Sequence, residues 1–183
     1  MNDQTLPKRI DVPREMTWNL ESVYQNNEQW EADFSRVSAM LPDLLAYKGK
    51  LTKTGKSLLD ALTLRDKVGA IVGKLYCFAN MRFHEDTTNA TFQALADRVE
   101  TLSSEVSAAS SFITPELLAT PSKKIAGFIK KTRGLAVYEH EFDELDRQRP
   151  HVRSAEIEKI LAEASEIAGA PGKIFQMIND ADL

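Results

Sequence analysis

The sequence has few of the side chains that form disulfides or bind soft metals, with one cysteine and three histidines among 183 residues. Cys77 cannot form a disulfide within the chain, which fits a reducing compartment. Its neighbours in the sequence are apolar, and we expect a packed, inert thiol. No uninterrupted apolar run reaches the roughly 18 residues of a membrane span, and residues 1–14 lack the apolar core of a signal peptide. We therefore expect a cytoplasmic protein with no membrane partner.

Excess charge of either sign is also small. The 23 basic and 27 acidic residues leave a formal net charge of −4, which argues against a dedicated nucleic-acid binder. One basic region occurs, and its cations are interleaved only with Phe128: Lys123, Lys124, Lys130, Lys131 and Arg133. Single-stranded nucleic acids bind where aromatic side chains alternate with cations, so we expect no nucleic-acid partner.

Apolar residues at helical spacing dominate the rest of the sequence. Two long helices are predicted at 57–83 and 89–111, and the short polar turn between them predicts an antiparallel hairpin. An earlier helix, capped by Asn26 or Asn27, has an apolar stripe from Trp30 to Leu45. Pro42 predicts a kink or break near Leu41, and Gly49 is the expected stop signal.

The predicted class is all-α, a long antiparallel helical hairpin with shorter packed helices, arranged in three regions. Residues 1–24 form an extended N-terminal arm, because Pro7 and Pro13 interrupt any helix there. Residues 25–112 form a long-helix lobe. Residues 113–183 form a segment of shorter helices, two of them opening at Pro115 and Pro121. Further helices are expected at 138–147, from Ser154 to about 168, and around Ile174.

Two motifs suggest ligand chemistry, but each lacks a required residue. Gly55-Lys56-Ser57 resembles the end of a phosphate-binding loop, yet the glycine needed five residues earlier is replaced by Lys50 and no strand precedes it. A flexible inter-helix loop is the expected structure. His84-Glu85 and His140-Glu141 begin like a zinc-peptidase helix, but Thr88 and Glu144 stand where the second histidine is required.

The carboxylates Glu139, Glu141, Asp143, Glu144 and Asp146 lack the glycine around which a calcium loop spaces its ligands alternately. They instead predict helix-surface ion pairs of Asp143 with Arg147 and of Asp146 with Arg149. No catalytic, cofactor-binding or metal-binding residue is therefore assigned in this chain.

Several segments, taken in order, resemble the N-terminal region of the oligoendopeptidase F family of zinc metallopeptidases. They cover nearly the whole chain: Thr17-Trp18-Asn19-Leu20-Glu21-Ser22-Val23-Tyr24, Trp30-Glu31-Ala32-Asp33-Phe34, Tyr47-Lys48-Gly49-Lys50-Leu51, Glu85-Asp86-Thr87, Gln93-Ala94-Leu95-Ala96-Asp97-Arg98, Phe112-Ile113-Thr114-Pro115-Glu116-Leu117-Leu118, Arg149-Pro150-His151 and Asn179-Asp180-Ala181-Asp182. No single segment is specific, but the ordered set is.

The resemblance implies a parent enzyme that cuts oligopeptides inside a closed, mostly helical, two-lobed body. In that family a His-Glu-x-x-His helix and a further glutamate hold one zinc ion, and the metal lowers the pKa of the attacking water. Those positions lie beyond Leu183 in the family's order, so this segment is expected to bind no zinc and to be inactive alone. Its implied role is to shape the substrate channel. The implied partners are the catalytic part of the same protein and an oligopeptide substrate, with self-association as a further expectation.

Two alternatives belong to other classes. The chain could be a stand-alone helical interaction module derived from such a peptidase. It could also be a helical protein that binds a metal or a nucleotide.

Overall fold

The computed structural model describes residues 11–152, together with Ile157, Ala164, 169–172 and 174–175. Within 11–152 the α-helices are α1 (Asn27–Leu45), α2 (Gly55–Glu85), α3 (Ala90–Ser110), α4 (Ile113–Ala119), α5 (Ser122–Lys131) and α6 (Glu139–Gln148). Short 3-10 turns lie at Arg14–Met16, Leu20–Ser22, Leu135–Tyr138 and Arg149–His151. The described residues contain no strand, and the predicted all-α class is confirmed.

The chain divides into two compact units, Met1–Glu139 and His140–Leu183. Three long helices form the centre of the first unit. α2 and α3 are antiparallel and pack along each other across a short turn at 86–89, while α1 packs against both. The predicted hairpin is confirmed, with α2 extending two residues past its predicted limit at each end. No helix in the described part of the chain is long and apolar enough to cross a membrane.

The core between these helices is built from the positions that recur at helical spacing on each of them. Its buried members are Leu20, Tyr24, Trp30, Val37, Val68, Leu75, Phe78, Ala79, Leu95, Val99 and Leu102. Burying each large side chain contributes about 1.5–3 kcal/mol of transfer free energy. The indole N–H of Trp30 donates to the Leu75 carbonyl oxygen at 3.2 Å, so its polar atom is satisfied inside the core. Leu20 and Tyr24 come from the arm, which is therefore docked on this chain's own helices.

Side-chain caps fix where the three long helices begin. Asn26, Thr54 and Asn89 each accept a hydrogen bond from the backbone N–H three residues later, at 3.0, 3.0 and 3.3 Å. These bonds satisfy N–H groups that have no partner within the helix. Because Thr54 is the cap, Gly55-Lys56-Ser57 forms the first turn of α2. The expectation of a flexible loop at these three residues is therefore wrong.

Of the kink or break predicted near Leu41, the break is wrong, because α1 continues through Pro42. Pro42 lies in the last turn of the helix, which continues to Leu45, and the Ala46 N–H still donates to the Pro42 carbonyl oxygen at 3.0 Å. A proline removes its own N–H and crowds the carbonyl four residues earlier, here that of Ser38, and α1 continues to Leu45 in spite of this cost. Gly49 follows the helix end, in a turn where its positive φ of 71° favours glycine.

Cys77 is exposed, so the prediction of a packed thiol is wrong. Leu75, Phe78 and Ala79 occupy the buried side of α2, and Cys77 falls outside that arc at about 100° per residue. The apolar character of its sequence neighbours was therefore not evidence that Cys77 is buried. Its sulfur lies 3.6 Å from the sulfur of Met81, one turn later.

The described part of the second unit consists of most of α6 and the turn Arg149–His151, followed by Val152, Ile157, Ala164, 169–172 and 174–175. Arg149 pairs with Asp146 at 2.6 Å, as predicted. Arg147, however, pairs with Glu144 at 2.5 Å and not with Asp143, because the three-residue spacing brings Glu144 within reach. The helices predicted from Ser154 onwards lie largely outside the described residues.

Candidate functional site

A cavity of about 1050 Å³ lies where the arm meets the turn between α2 and α3. Its walls come from three places in the sequence. They are the arm, the last turn of α2, and the turn with the start of α3: Val12, Arg14, Thr17, Trp18, Asn19 and Glu21; Arg82 and Glu85; Asp86, Thr88 and Phe92. The cavity thus joins two of the segments that carry the family resemblance, 17–24 and 85–87.

Arg82 holds the cavity's two sides together. Its guanidinium donates to Glu85 from Nη1 and to Glu21 from Nη2, each at 2.9 Å, and lies 5.4 Å from the ring centroid of Phe78. The Arg82 side chain is 22% exposed, so solvent screens this arrangement less than an ordinary surface pair. Glu21 hydrogen-bonds to its own backbone and to Arg82, and these contacts hold its carboxyl pKa below the usual value.

Tyr24 anchors the other end of the arm. Its ring is buried edge-on against Phe78 with centroids 5.4 Å apart, and the Lys74 ammonium lies 4.1 Å from its centroid. The hydroxyl donates to Asp33 at 2.9 Å. Burial, together with this neighbouring carboxylate, raises the pKa of the Tyr24 phenol. The phenol therefore stays protonated at physiological pH and acts here as a structural donor.

A second ion pair stabilises the long helices nearby. Arg98 of α3 donates to both oxygens of Glu31 of α1, at 2.5 and 2.7 Å, and its guanidinium lies 5.0 Å from the Trp30 ring and 4.6 Å from the Phe34 ring. The two-pronged contact from Arg98 lowers the pKa of Glu31. Such bidentate geometry orients both groups more strictly than a single contact does.

Two large apolar side chains of the arm remain exposed beside these anchors. Trp18 lines the cavity with 77% of its surface exposed, and Met16 is 75% exposed. Leu20 and Tyr24, only a few residues later, are almost fully buried. The arm therefore presents one apolar side to the helices and another, at Trp18 and Met16, to its surroundings.

The residues that suggested metal chemistry do not form a metal site in the described chain. His84, His140 and His151 are exposed, and Glu85, which follows His84, is bound by Arg82. Among the described residues no group of three or more histidine, cysteine, aspartate or glutamate side chains could hold a metal ion.

Gly55, Lys56 and Ser57, which resemble the end of a phosphate-binding loop, are engaged in contacts within the chain. The Ser57 hydroxyl donates to the Lys50 carbonyl oxygen at 3.0 Å, and Lys56 pairs with Asp60 at 2.6 Å. Gly55 is required for packing, because a Cβ there would collide with the Thr132 hydroxyl. The first turn of α2 is therefore committed to helix capping and to contact with the end of α5.

Sequence reasoning did not find the cavity or the Arg82 bridge. Arg82 and Glu21 are 61 positions apart, and neither position is distinctive within its own segment. The only signal was indirect, since the resembling segments 17–24 and 85–87 prove to lie on either side of the same cavity.

Comparison with known proteins gives matches of one kind. The family model described as Oligopeptidase F matches residues 116–183. Oligopeptidase PepF of Bacillus subtilis is 38% identical over 178 residues, which are 97% of this chain and 27% of that protein. Group B oligopeptidase PepB of Streptococcus agalactiae is 29% identical over 175 residues, 96% of this chain and 29% of that protein. The chain thus spans less than a third of the length of these relatives.

Solved structures agree with the sequence matches. The crystal structure of oligoendopeptidase-F from Enterococcus faecium superposes with a TM-score of 0.67 and 32% identity, covering 86% of this chain and 30% of that one. A Chlamydophila abortus crystal structure gives a TM-score of 0.78 and 25% identity over 97% of this chain and 30% of that one. Sequence and structure together confirm the resemblance: this chain corresponds to the N-terminal region of oligoendopeptidase F proteins.

Proposed function

We propose that this chain is the N-terminal helical segment of a zinc-dependent, cytoplasmic oligoendopeptidase that hydrolyses internal peptide bonds of oligopeptides. The observation that supports this most is the identity of 38% with oligopeptidase PepF across 97% of the chain. The match includes the arm, the hairpin and the shorter helices in the same order. A match over nearly the whole chain supports a parent protein of the same kind, and the chain spans 27% of PepF.

The proposed role of the segment is to shape the substrate channel rather than to perform chemistry. Arg82 joins the arm to the end of α2, and Tyr24 anchors the arm on α1 and α2, so the arm side of the cavity is held by contacts within the chain. Its lining combines an exposed indole with both charge signs, which suits the side chains and backbone of a peptide. We propose that peptide passes along this face of the segment.

Zinc in the parent protein would act as a Lewis acid and lower the pKa of the attacking water. The described residues of this chain do not fit a zinc site, since its histidines are scattered and Glu85 is held by Arg82. No step of hydrolysis is therefore assigned to residues of this segment. We propose that the ligands and the general base are supplied by the catalytic part of the same protein.

The parent reading frame gives the first test. It should continue past Leu183 and encode a His-Glu-x-x-His motif. The purified parent should cleave oligopeptides at internal bonds, lose that activity in a chelator and regain it with zinc. Activity that persists after the metal is removed would refute the zinc assignment. A reading frame that ends at Leu183 would replace the enzyme by the stand-alone interaction module.

A further inference from the structure

Basic side chains are concentrated in two stretches of this protein, although its net charge is slightly negative. Residues 44–59 and 117–138 contain nine lysines and arginines and no acidic residue. The rest of the chain has 14 basic residues and all 27 acidic ones. A protein with a modest overall charge therefore has one strongly positive region.

The fold brings these two stretches together in the first unit. Gly55 lies against the end of α5, with the ideal Cβ position 3.4 Å from Phe128 Cβ, and the Thr120 and Thr52 hydroxyls are 3.0 Å apart. The nine cations on these two adjoining stretches are all exposed, and we call them together the basic surface: Lys48, Lys50, Lys53, Lys56, Lys123, Lys124, Lys130, Lys131 and Arg133.

The lysines of α5 are the most regularly spaced part of the basic surface. Lys123 and Lys130 are seven residues apart on one side of the helix, as are Lys124 and Lys131, which separates the members of each pair by about 10 Å along the axis. The opposite side of α5 is apolar, with Ile125 buried in the protein. The lysines are therefore held outward by the packing of the helix that carries them.

Few carboxylates compensate these charges. Within residues 11–152, Lys56 is the one cation of the basic surface that forms an ion pair, at 2.6 Å from Asp60. Glu116 borders the surface but accepts a hydrogen bond from the Gly49 N–H. Asp43 lies near Lys50 across a shallow hollow. The positive potential is therefore available to an external anion.

The composition of the surface favours an acidic polypeptide over a nucleic acid or a membrane. Eight of the nine cations are lysine, which offers a point charge and no bidentate geometry towards either a carboxylate or a phosphate. The three aromatic residues of the two stretches, Tyr47, Phe128 and Tyr138, are half-buried, and Lys124 lies 5.6 Å from the Phe128 ring, so no fully exposed ring is offered to bases. The apolar side of α5 is used internally, which leaves no membrane-inserting face. The strongly acidic remainder of the chain would also repel a long polyanion that extends past the surface.

We propose that the basic surface binds acidic oligopeptides and enriches them as substrates of the parent peptidase; the second half of this statement rests on the proposed function. Attraction of this kind increases the association rate and depends on ionic strength. It requires no apolar pocket and no ordered partner conformation. Among oligopeptides, we expect the largest increase in association rate for short peptides rich in aspartate and glutamate.

Binding can be measured on this chain without any hydrolysis. Fluorescence anisotropy would follow a labelled peptide of alternating glutamate and glycine, with an uncharged peptide of equal length for comparison. The double variant Lys123→Gln, Lys130→Gln removes two cations from the basic surface. The variant Arg36→Gln, Lys67→Gln removes the same charge from exposed positions elsewhere in the first unit.

The acidic peptide should bind more tightly than the uncharged one at an ionic strength of about 0.01 M and lose the difference at about 1 M, where the Debye length falls to about 3 Å. The surface variant should weaken binding about fivefold and the control variant much less. Equal binding of both peptides, or equal loss in both variants, would overturn the proposal. So would tighter binding of a single-stranded oligonucleotide of the same charge. If the parent protein binds acidic peptides but cleaves none, the proposed peptidase function is wrong and the binding proposal stands.

Discussion

Arg82 is the residue that connects most parts of the candidate site. Its guanidinium reaches an acid on the arm and an acid on its own helix, and it covers the Phe78 ring, which in turn packs on Tyr24. Removing it alters the arm, the end of α2 and the cavity wall together. Lysine cannot replace it, because all its N–H donors are on one nitrogen, whereas Arg82 reaches the two carboxylates from two separate nitrogens.

Replacement Arg82→Met should lower the free energy of unfolding by about 1–2 kcal/mol, because a partly buried group loses charge-assisted hydrogen bonds to two carboxylates. The control Arg36→Met should cost under about 0.5 kcal/mol, because that pair is 3.7 Å long and exposed. Urea denaturation measures both values. Limited proteolysis should also show faster cleavage within the arm of the Arg82 variant only. Equal stability of the two variants would contradict the bridging role.

The stability of the folded chain should decrease in acid because of Glu21 and Glu31. Both carboxyl groups have pKa values lowered from 4.5 in the folded protein, Glu21 by its own backbone and Arg82, and Glu31 by Arg98. The folded state therefore binds fewer protons, so their stabilisation is present above the unfolded pKa and is lost as pH falls through the folded one. Thermal melts of the wild type and of Glu31→Gln should differ at neutral pH and converge in acid. A constant difference across that range would contradict the shift.

At the scale of elements, the long helices were predictable and their surroundings were not. The α2–α3 hairpin emerged from apolar periodicity because each helix repeats its pattern over several turns, which local exceptions cannot mask. Cys77 was misplaced because the neighbours of a helical residue face other directions. Pro42 was misjudged because the cost of a proline in a helix is local, whereas α1 is also held by its packing against α2 and α3, which the local sequence does not show. The bridge from Arg82 to Glu21 joins positions 61 residues apart, and periodicity carries no information about such pairs.

The glycines of α2 provide a matched test of the packing around this helix. A Cβ at Gly55 would collide with Thr132, whereas at Gly69 it would meet nothing within 4 Å. Gly69→Ala should therefore raise the free energy of unfolding by up to about 1 kcal/mol through helix propensity. Gly55→Ala should lower it by about 1–3 kcal/mol, the usual cost of overpacking. The contact between α2 and the end of α5 would be disproved if both substitutions stabilised the protein equally.

At the scale of the whole chain, the informative features are its length relative to similar proteins and the exposed apolar side chains of its arm. It spans less than a third of the relatives it matches, and its arm exposes Trp18 and Met16 beside the cavity. The division into an arm, a long-helix lobe and a segment of shorter helices stays a prediction at this scale. Exposed apolar side chains beside a cavity are typical of surfaces that contact another molecule or another part of the same protein.

The isolated chain should accordingly bind a hydrophobic dye or self-associate. Trp18→Ser should reduce dye fluorescence and shift sedimentation towards the monomer, because it removes the largest exposed apolar side chain of the arm. Val137→Ser is the control, since Val137 is 78% exposed but is no part of the cavity wall. A wild-type chain that is monomeric and ignores the dye would count against an interface at the arm.

The central proposal is that this chain is a segment of a zinc peptidase whose catalytic residues lie elsewhere in the protein. The most direct measurement is cleavage of an internally quenched oligopeptide by the 183-residue chain and by its parent, each with added zinc and with a chelator. The parent should release fluorescence only when zinc is present, and the chain should release none in either condition. Zinc-dependent cleavage by the chain alone, or no cleavage by the parent, would contradict the claim.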